Sequence, residues 1–310
     1  MMEIAICLEN LSRDFGTVRA VDGLSLEVPR GIVFGFLGPN GSGKTTTIRL
    51  LLGLLEPTRG RAFVLGFDTL KQGGEIRKRT GALLEHPGLY ERLSAEDNLE
   101  FYGRVWRLPT AQRRSRIKQV LHNLGLWQRR HELVGQWSRG MKQKLAVARA
   151  MLHSPPLIFL DEPSAGLDPV AAAALRDDLQ EMVAREGVTV FLTTHNLVEA
   201  EKLCQLVGVI RQGKLLAVGH PDELRSHSGG TRVEVIGRGF TPLLLDCLRS
   251  QPQVKAAQVQ GDRLSIVLRT NVSVAPLVRL LVRANVEIEE VRKGSASLEE
   301  VFLTLMQQEQ

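Results

Sequence analysis

Short, nearly continuous apolar runs mark the middle of this chain, where alternation of apolar and polar residues would mark a half-exposed sheet. Ile32-Val33-Phe34-Gly35-Phe36-Leu37, Leu157-Ile158-Phe159-Leu160 and Val188-Thr189-Val190-Phe191-Leu192 are of this kind, as expected of parallel strands buried on both faces. With a further strand at 206–210, they alternate with patterns of helical period, from Thr45 to about Leu55, about 170–186 and about 196–203, which gives the βαβ rhythm of a parallel sheet. Residues 3–37 read as short strands with Gly-containing turns, and Val207 to Val218 reads as a hairpin turning at Arg211-Gln212-Gly213. The stretch from Ser94 to about Leu152 is mostly helical. Ser94 stands as a helix cap with Glu96 and Asp97 in the first turn, and Thr110 caps a second helix after Pro109. Pro221 to Arg225 closes this part as a helix, and Ser226-His227-Ser228-Gly229-Gly230 is a linker by composition. Beyond it the rhythm changes to strand, helix, two strands, helix, strand and a final helix from Leu298 to Met306, a ferredoxin-like plan. Two domains follow, 1–228 and 229–310, with a helical subdomain at about 86–152 in the first.

The turns after these strands carry the chemistry. Gly38-Pro39-Asn40-Gly41-Ser42-Gly43-Lys44-Thr45 has the phosphate-loop spacing of Gly, four residues, Gly, Lys and Thr, between a strand and a helix that continues through Thr46. Such a loop points backbone N–H groups and a helix N-terminus at phosphate oxygens. Lys44 is expected on the β- and γ-phosphates, and the Thr45 hydroxyl on Mg²⁺. The run Leu157 to Leu160 ends in Asp161-Glu162-Pro163, which places Asp161 as the metal-side carboxylate and Glu162 where it can polarise an attacking water. His195, after Thr193 and Thr194 at the end of the next strand, is placed to bond the γ-phosphate or orient that water. These residues predict a chain that binds a nucleoside triphosphate with Mg²⁺.

With Ser164-Ala165-Gly166-Leu167-Asp168-Pro169 directly downstream, the chain resembles the nucleotide-binding subunits of ATP-binding cassette (ABC) transporters over roughly residues 3–228, which implies that the nucleotide is ATP. In that family a Leu-Ser-Gly-Gly-Gln segment opens a helix and meets the ATP held by the other subunit. Here it reads Trp137-Ser138-Arg139-Gly140-Met141. Ser138 and Gly140 match; Trp137, Arg139 and Met141 depart, and Arg139 brings a positive charge that either meets the γ-phosphate or faces solvent. The resemblance implies that Phe15 stacks on adenine, against the plainer reading of an apolar residue at a strand end. It places Glu85 where the family has a Mg²⁺-binding Gln, and Asp168 as the acid that crosses to the second subunit. Its implied fold is α/β: a P-loop NTPase with a parallel sheet core, an antiparallel β subdomain and a helical subdomain, plus a small α+β ferredoxin-like C-terminal domain. Its implied partners are a separate transmembrane permease and a second copy of this chain, with peripheral attachment at the cytoplasmic face of the membrane. The segments Leu84 to Tyr90 and Ser297 to Phe302 resemble the subgroup of daunorubicin and bacitracin resistance exporters. The alternative is a soluble ABC ATPase acting on nucleic acid or ribosomes.

Composition narrows the setting. The 310 residues are 43% hydrophobic and 24% charged, ordinary for a water-exposed globular protein and more than one core usually supports. Cys7, Cys204 and Cys247 are too few and scattered for a disulfide framework and fit a reducing cytosol. Residues 1–8 lack the basic and apolar regions of a signal peptide, and no apolar run approaches the roughly 20 residues that cross a bilayer. The formal charge of +6 is uneven: between Phe101 and His131 there is no acid, but eight bases, among them Arg104, Arg113, Arg114 and Arg116. That run reads as a solvated helix face or, with the resemblance, as a surface near anionic lipid; without a nucleic-acid module it does not point to nucleic acid.

Overall fold

The computed structural model describes residues 3–229, 231–269, 272–295, 298–299 and 301–302. The chain forms two compact units, Met1–Gly219 and His220–Gln310.

The first unit opens with long strands β1 (Ile4–Phe15) and β2 (Val18–Pro29), then β3 (Val33–Leu37), α1 (Lys44–Leu51), β4 (Arg59–Val64), β5 (Phe67–Asp68), α2 (Gly73–Arg79) and β6 (Thr80–Leu83). Next come helices α3 (Ala95–Val105), α4 (Thr110–Asn123) and α5 (Arg139–Met151). The unit ends with β7 (Leu157–Asp161), α6 (Pro169–Glu186), β8 (Thr189–Thr194), α7 (Leu197–Leu203), β9 (Leu206–Arg211) and β10 (Lys214–Gly219). A sheet of order β10-β9-β3-β8-β7-β6 forms the centre. All its pairings are parallel except β10 with β9. Every residue of β3, β7 and β8 is buried, as their nearly continuous apolar runs predict. Phe34, Phe36 and Phe159 pack around Phe191 with ring centroids 5.2, 5.6 and 5.7 Å away. A second sheet, β2-β1-β4-β5, is antiparallel.

Register places the chemistry. Leu37 pairs with Thr194, and Asp161 with Thr193, so the phosphate loop, the Asp161-Glu162 turn and His195 emerge together at the C-terminal edge. That edge is where open α/β sheets bind ligands.

Three local expectations change. Helix α1 stops at Leu51 and not near Leu55, because Gly53 turns the chain at φ +61°. Thr110 is the first residue inside α4 and Pro109 occupies the cap position without a side-chain bond, whereas Ser94 does cap α3, accepting from the Asp97 N–H at 3.0 Å. The basic run is not wholly a solvated or lipid-facing surface. Arg113 grips Glu100 with two bonds of 2.7 and 2.8 Å, and Arg116 reaches Glu186 at 2.6 Å and the Met151 carbonyl at 3.0 Å. Both arginines are 8% exposed. A guanidinium fork needs a carboxylate once it leaves water, and here the acids come from outside the run. The Arg113 hydrogen bonds hold the Glu100 carboxyl below its usual range.

His153, just past α5, lies flat on Trp106 with centroids 3.8 Å apart. Burial, with the Arg116 charge beside it, pulls its pKa from 6.5 down to about 4. The folded chain therefore binds fewer protons there than the unfolded chain. The neutral ring's contribution is complete above 6.5 and is lost as pH falls towards about 4. His153→Phe keeps the stacking and removes the titration. Urea midpoints measured across that window are expected to fall more steeply for the native chain; parallel curves would show that the ring titrates normally.

The second unit contains α8 (Pro221–Gly229), β11 (Thr231–Arg238), α9 (Pro242–Arg249), β12 (Val254–Gln260), β13 (Arg263–Leu268), α10 (Ala275–Arg283) and β14 (Glu287–Ser295). Its antiparallel sheet has the order β12-β13-β11-β14, the ferredoxin-like arrangement, around a core that includes Val235, Leu248, Ile266 and Leu281. Helix α8 runs through most of the stretch expected as a linker. Pro221 and the acids Asp222 and Glu223 give it a strong first turn, which the small residues at 226–229 continue. Most of the expected final helix lies outside the described residues; Leu298 and Val301 within it are buried. Among the described residues no helix is long and apolar enough to cross a membrane.

Candidate functional site

The phosphate loop takes its shape from glycine. Gly43 sits at φ +106°, and a Cβ there would lie 2.3 Å from the Ala20 carbonyl oxygen. A Cβ on Gly38 would lie 2.4 Å from the Ile210 carbonyl oxygen. Gly41, at φ +77°, faces open space. Helix α1 follows with no side chain capping its first turn and no acid in it, so its N-terminal donors are open to an anion. Ser42 Oγ is buried without a partner. Asn40, Gly41, Lys44, Thr45, Thr46 and Glu162 border one recess of about 200 Å³.

Lys44 is 6% exposed. Its Nζ donates to the carbonyls of Gly38 at 2.7 Å and Pro39 at 3.0 Å and lies 3.2 Å from Glu162 Oε1. The Thr45 hydroxyl donates to Asp161 Oδ2 at 2.7 Å, and Thr193 Oγ1 donates to Asp161 Oδ1 at 2.6 Å. Glu162 occupies a left-handed backbone position, φ +51°. Its N–H is fixed by the Thr193 carbonyl at 3.1 Å and by Thr193 Oγ1 at 3.0 Å. Its Oε2 meets His195 Nδ1 at 2.7 Å. Lys44, Thr45, Asp161, Glu162 and His195 thus converge, from three separate strand ends. A half-buried hydroxyl beside a buried carboxylate is the hard-oxygen donor set that suits Mg²⁺, and the open helix start beside a lysine suits a polyphosphate.

The remaining candidates are placed differently. Glu85 points at Arg49, with Oε1 2.9 Å from NH2. Phe15 is 44% exposed, and the Arg13 guanidinium covers one face of its ring at 4.6 Å. Ser138 caps α5, accepting from the Met141 N–H at 3.3 Å, and Gly140 lies where a Cβ would be 3.0 Å from Ala171 Cβ. The Met141 sulfur takes an Arg129 bond at 3.1 Å. Arg139 is exposed. Its guanidinium lies on Gly166, where an added Cβ would be 2.2 Å from it, and it shares a recess of about 300 Å³ with Thr45, Glu85, Asp161 and Glu162. Asp168 Oδ1 caps α6, accepting from Val170 at 3.0 Å and Ala171 at 2.9 Å.

Two residues without an assigned role in the sequence reading enter the site. Thr193 bonds both Asp161 and Glu162; its only sequence signal is its place just before His195. Glu199 is buried at 8% exposure, with its carboxyl raised above the usual range by burial and then by the Glu162 charge.

A parallel sheet with a glycine loop, a Lys-Thr-Asp cluster and a Glu-His pair at one edge defines a P-loop nucleoside triphosphatase. The family of ABC transporters matches residues 21–165, and the family of ATP-binding protein DrrA1-3-like C-terminal domains matches residues 219–306. The daunorubicin resistance ATP-binding protein DrrA3 of Streptomyces coeruleorubidus is 36% identical over 314 aligned residues, covering 98% of this chain and 96% of that protein. The bacitracin transport ATP-binding protein BcrA of Bacillus licheniformis is 40% identical, over 69% of each chain. Among solved structures, cbiO1 from Clostridium perfringens, part of the ABC transporter complex cbiONQ, superposes with a TM-score of 0.68 at 27% identity, covering 73% of this chain and 92% of that one. The chain belongs to the ATP-binding subunits of ABC transporters, ATPases coupled to transport. The alternative of an ATPase acting on nucleic acid or ribosomes finds no support among these relatives.

Proposed function

We propose that this chain hydrolyses ATP to drive export through a separate membrane permease, attached peripherally at the cytoplasmic face. The observation that carries the reading is the likeness to a daunorubicin resistance ATP-binding protein across both units, at 98% coverage. In this reading Lys44 and the N–H groups of residues 38–46 hold the β- and γ-phosphates, and Phe15 stacks its uncovered face on adenine. Thr45 and Asp161 hold Mg²⁺, with Glu85 able to join after leaving Arg49. Bound there, Mg²⁺ supplies charge neutralisation at the β- and γ-oxygens. Glu162 accepts the proton of the attacking water while His195 holds the carboxylate in place. A second copy presents its Ser138–Met141 segment to the γ-phosphate, with Asp168 at the shared boundary, so that two ATP lie between two chains. For the permease, a groove of about 340 Å³ between β6, α3, α5 and the turn after α1, bordered by Leu54, Val105 and Trp106, offers an apolar seat.

The test is co-expression with a candidate permease from the same source. The chain is expected to co-purify with it in detergent, and its Mg²⁺-dependent ATPase rate to rise on reconstitution. An active ATPase that neither associates with nor responds to any permease would overturn the transport role. No hydrolysis at all would overturn the reading of the site.

A further inference from the structure

Glu199 sits at an unusual place for a carboxylate: inside the protein, on α7, behind the two loops that carry Glu162 and His195. The sequence Asn196-Leu197-Val198-Glu199 has capping-box spacing, in which the acid reaches back to the N–H of the cap residue. Only half of that box forms. Asn196 Oδ1 accepts from the Glu199 N–H at 3.1 Å, but the Asn196 N–H goes to Thr194 Oγ1 at 3.0 Å. The Glu199 carboxylate is thereby left for other partners. Its Oε2 accepts from the Ser164 hydroxyl and, at 3.4 Å, from Thr194 Oγ1.

Those two donors lie two residues beyond Glu162 and one residue before His195. With the bond of 2.7 Å between Glu162 and His195, the contacts close a ring: Glu162, Ser164, Glu199, Thr194, His195 and back. Side chains on successive strand residues point to opposite faces, and β8 uses this. Thr193 holds Asp161, and its neighbour Thr194 holds Glu199. One strand end thus anchors both the metal-side carboxylate and the residue behind the hydrolytic pair.

We propose that Glu199 is a positioning residue for hydrolysis, its buried carboxylate tying the loop after Glu162 to the strand end before His195 and so fixing the distance between the two. Glu199 borders neither recess beside the phosphate loop. Its effect passes through Ser164 and Thr194, and reaction rates are sensitive to such placement: a misplacement of about 1 Å costs on the order of a hundredfold. The proposal rests on the hydrolytic reading of Glu162 and His195 given above.

The experiment compares kcat and the equilibrium Kd for ATP in the full chain and in Glu199→Ala, Glu199→Gln and Ser164→Ala. Glu199→Ala is expected to lower kcat by about tenfold or more while leaving the ATP Kd within about twofold. Glu199→Gln keeps an oxygen that accepts both hydroxyls and is expected to restore kcat to within about threefold. Three results overturn the proposal: wild-type kcat in Glu199→Ala, Glu199→Gln as slow as Glu199→Ala, or Kd and kcat lost in step. Should Glu199→Ala not fold, Ser164→Ala decides alone, since it removes one donor from a partly exposed loop. A reduced kcat at unchanged Kd supports the proposal, and an unchanged kcat sinks it. A native chain without ATPase activity removes the hydrolytic reading and this role together. A native rate kept by the variants removes this role only.

Discussion

Glu162→Gln is expected to leave ATP bound and to reduce its turnover by roughly 10²- to 10⁴-fold, the range for removal of a general base. The amide matches the carboxylate in shape, and the residue's backbone is fixed independently by two bonds to Thr193. The left-handed turn at φ +51° therefore survives the change. What is lost is the basic oxygen beside the phosphate loop and the charge that faces Lys44 at 3.2 Å. Removing a negative charge from that recess also lessens repulsion of the triphosphate, so affinity for ATP holds or rises. If two copies close on two ATP, the variant accumulates as a nucleotide-bound dimer. Sizing chromatography with and without ATP, alongside phosphate release, checks both parts. Native rates of phosphate release in this variant would mean that another group activates the water.

The central sheet was legible because burial on both faces leaves an apolar run with no alternation, and such strands sit side by side in one parallel sheet. Once Leu37, Asp161 and Thr194 end neighbouring strands, the loops that follow must meet, and the motif residues fall together. The second unit was legible for a related reason, since its strands and helices alternate at clear turns such as Gly261-Asp262. What escaped the sequence depends on partners far along the chain. Arg116 looks like one charge in a basic run until Glu186, 70 positions away, takes it. Glu199 has the spacing of a surface cap, and only the third dimension brings Ser164 to it. Glu85 and Arg49 sit 36 positions apart, on elements whose approach is set by sheet order. The Arg13 guanidinium above Phe15 is the local exception, since the two residues are i and i+2 on β1, the spacing that puts side chains on one face of a strand. In the stretch at 226–229, small polar residues signalled a turn, but a helix already nucleated by Pro221 and its acids continues through them at little cost per residue.

Lys44→Ala separates binding from chemistry in the opposite direction to Glu162→Gln. The ammonium is 6% exposed, held by the Gly38 and Pro39 carbonyls at 2.7 and 3.0 Å, and its chain spans the inside of the loop from the first turn of α1. Without it the loop keeps its glycine-determined path, since no backbone bond of α1 depends on the side chain, and the two carbonyls can turn to water. A triphosphate entering the recess then loses its one buried cation. Losing one partner of a desolvated charge pair costs about 3 kcal/mol, or roughly a hundredfold in Kd. The loss is expected to be large for ATP and ADP and small for AMP, which carries no phosphate to reach Nζ. Lys44→Arg retains the charge, but its planar fork cannot sit between two carbonyls that a single rotatable ammonium satisfies, so it is expected to recover only part of the affinity. Titration with a fluorescent ATP analogue, competed by ATP, ADP and AMP in turn, gives the three constants for each chain. Circular dichroism spectra matching the native chain confirm that the loop change is local. An unchanged ATP Kd in Lys44→Ala would place the phosphates elsewhere on the sheet edge. An equal loss for AMP would mean that the substitution disturbs the base or ribose end of the site and not the polyphosphate.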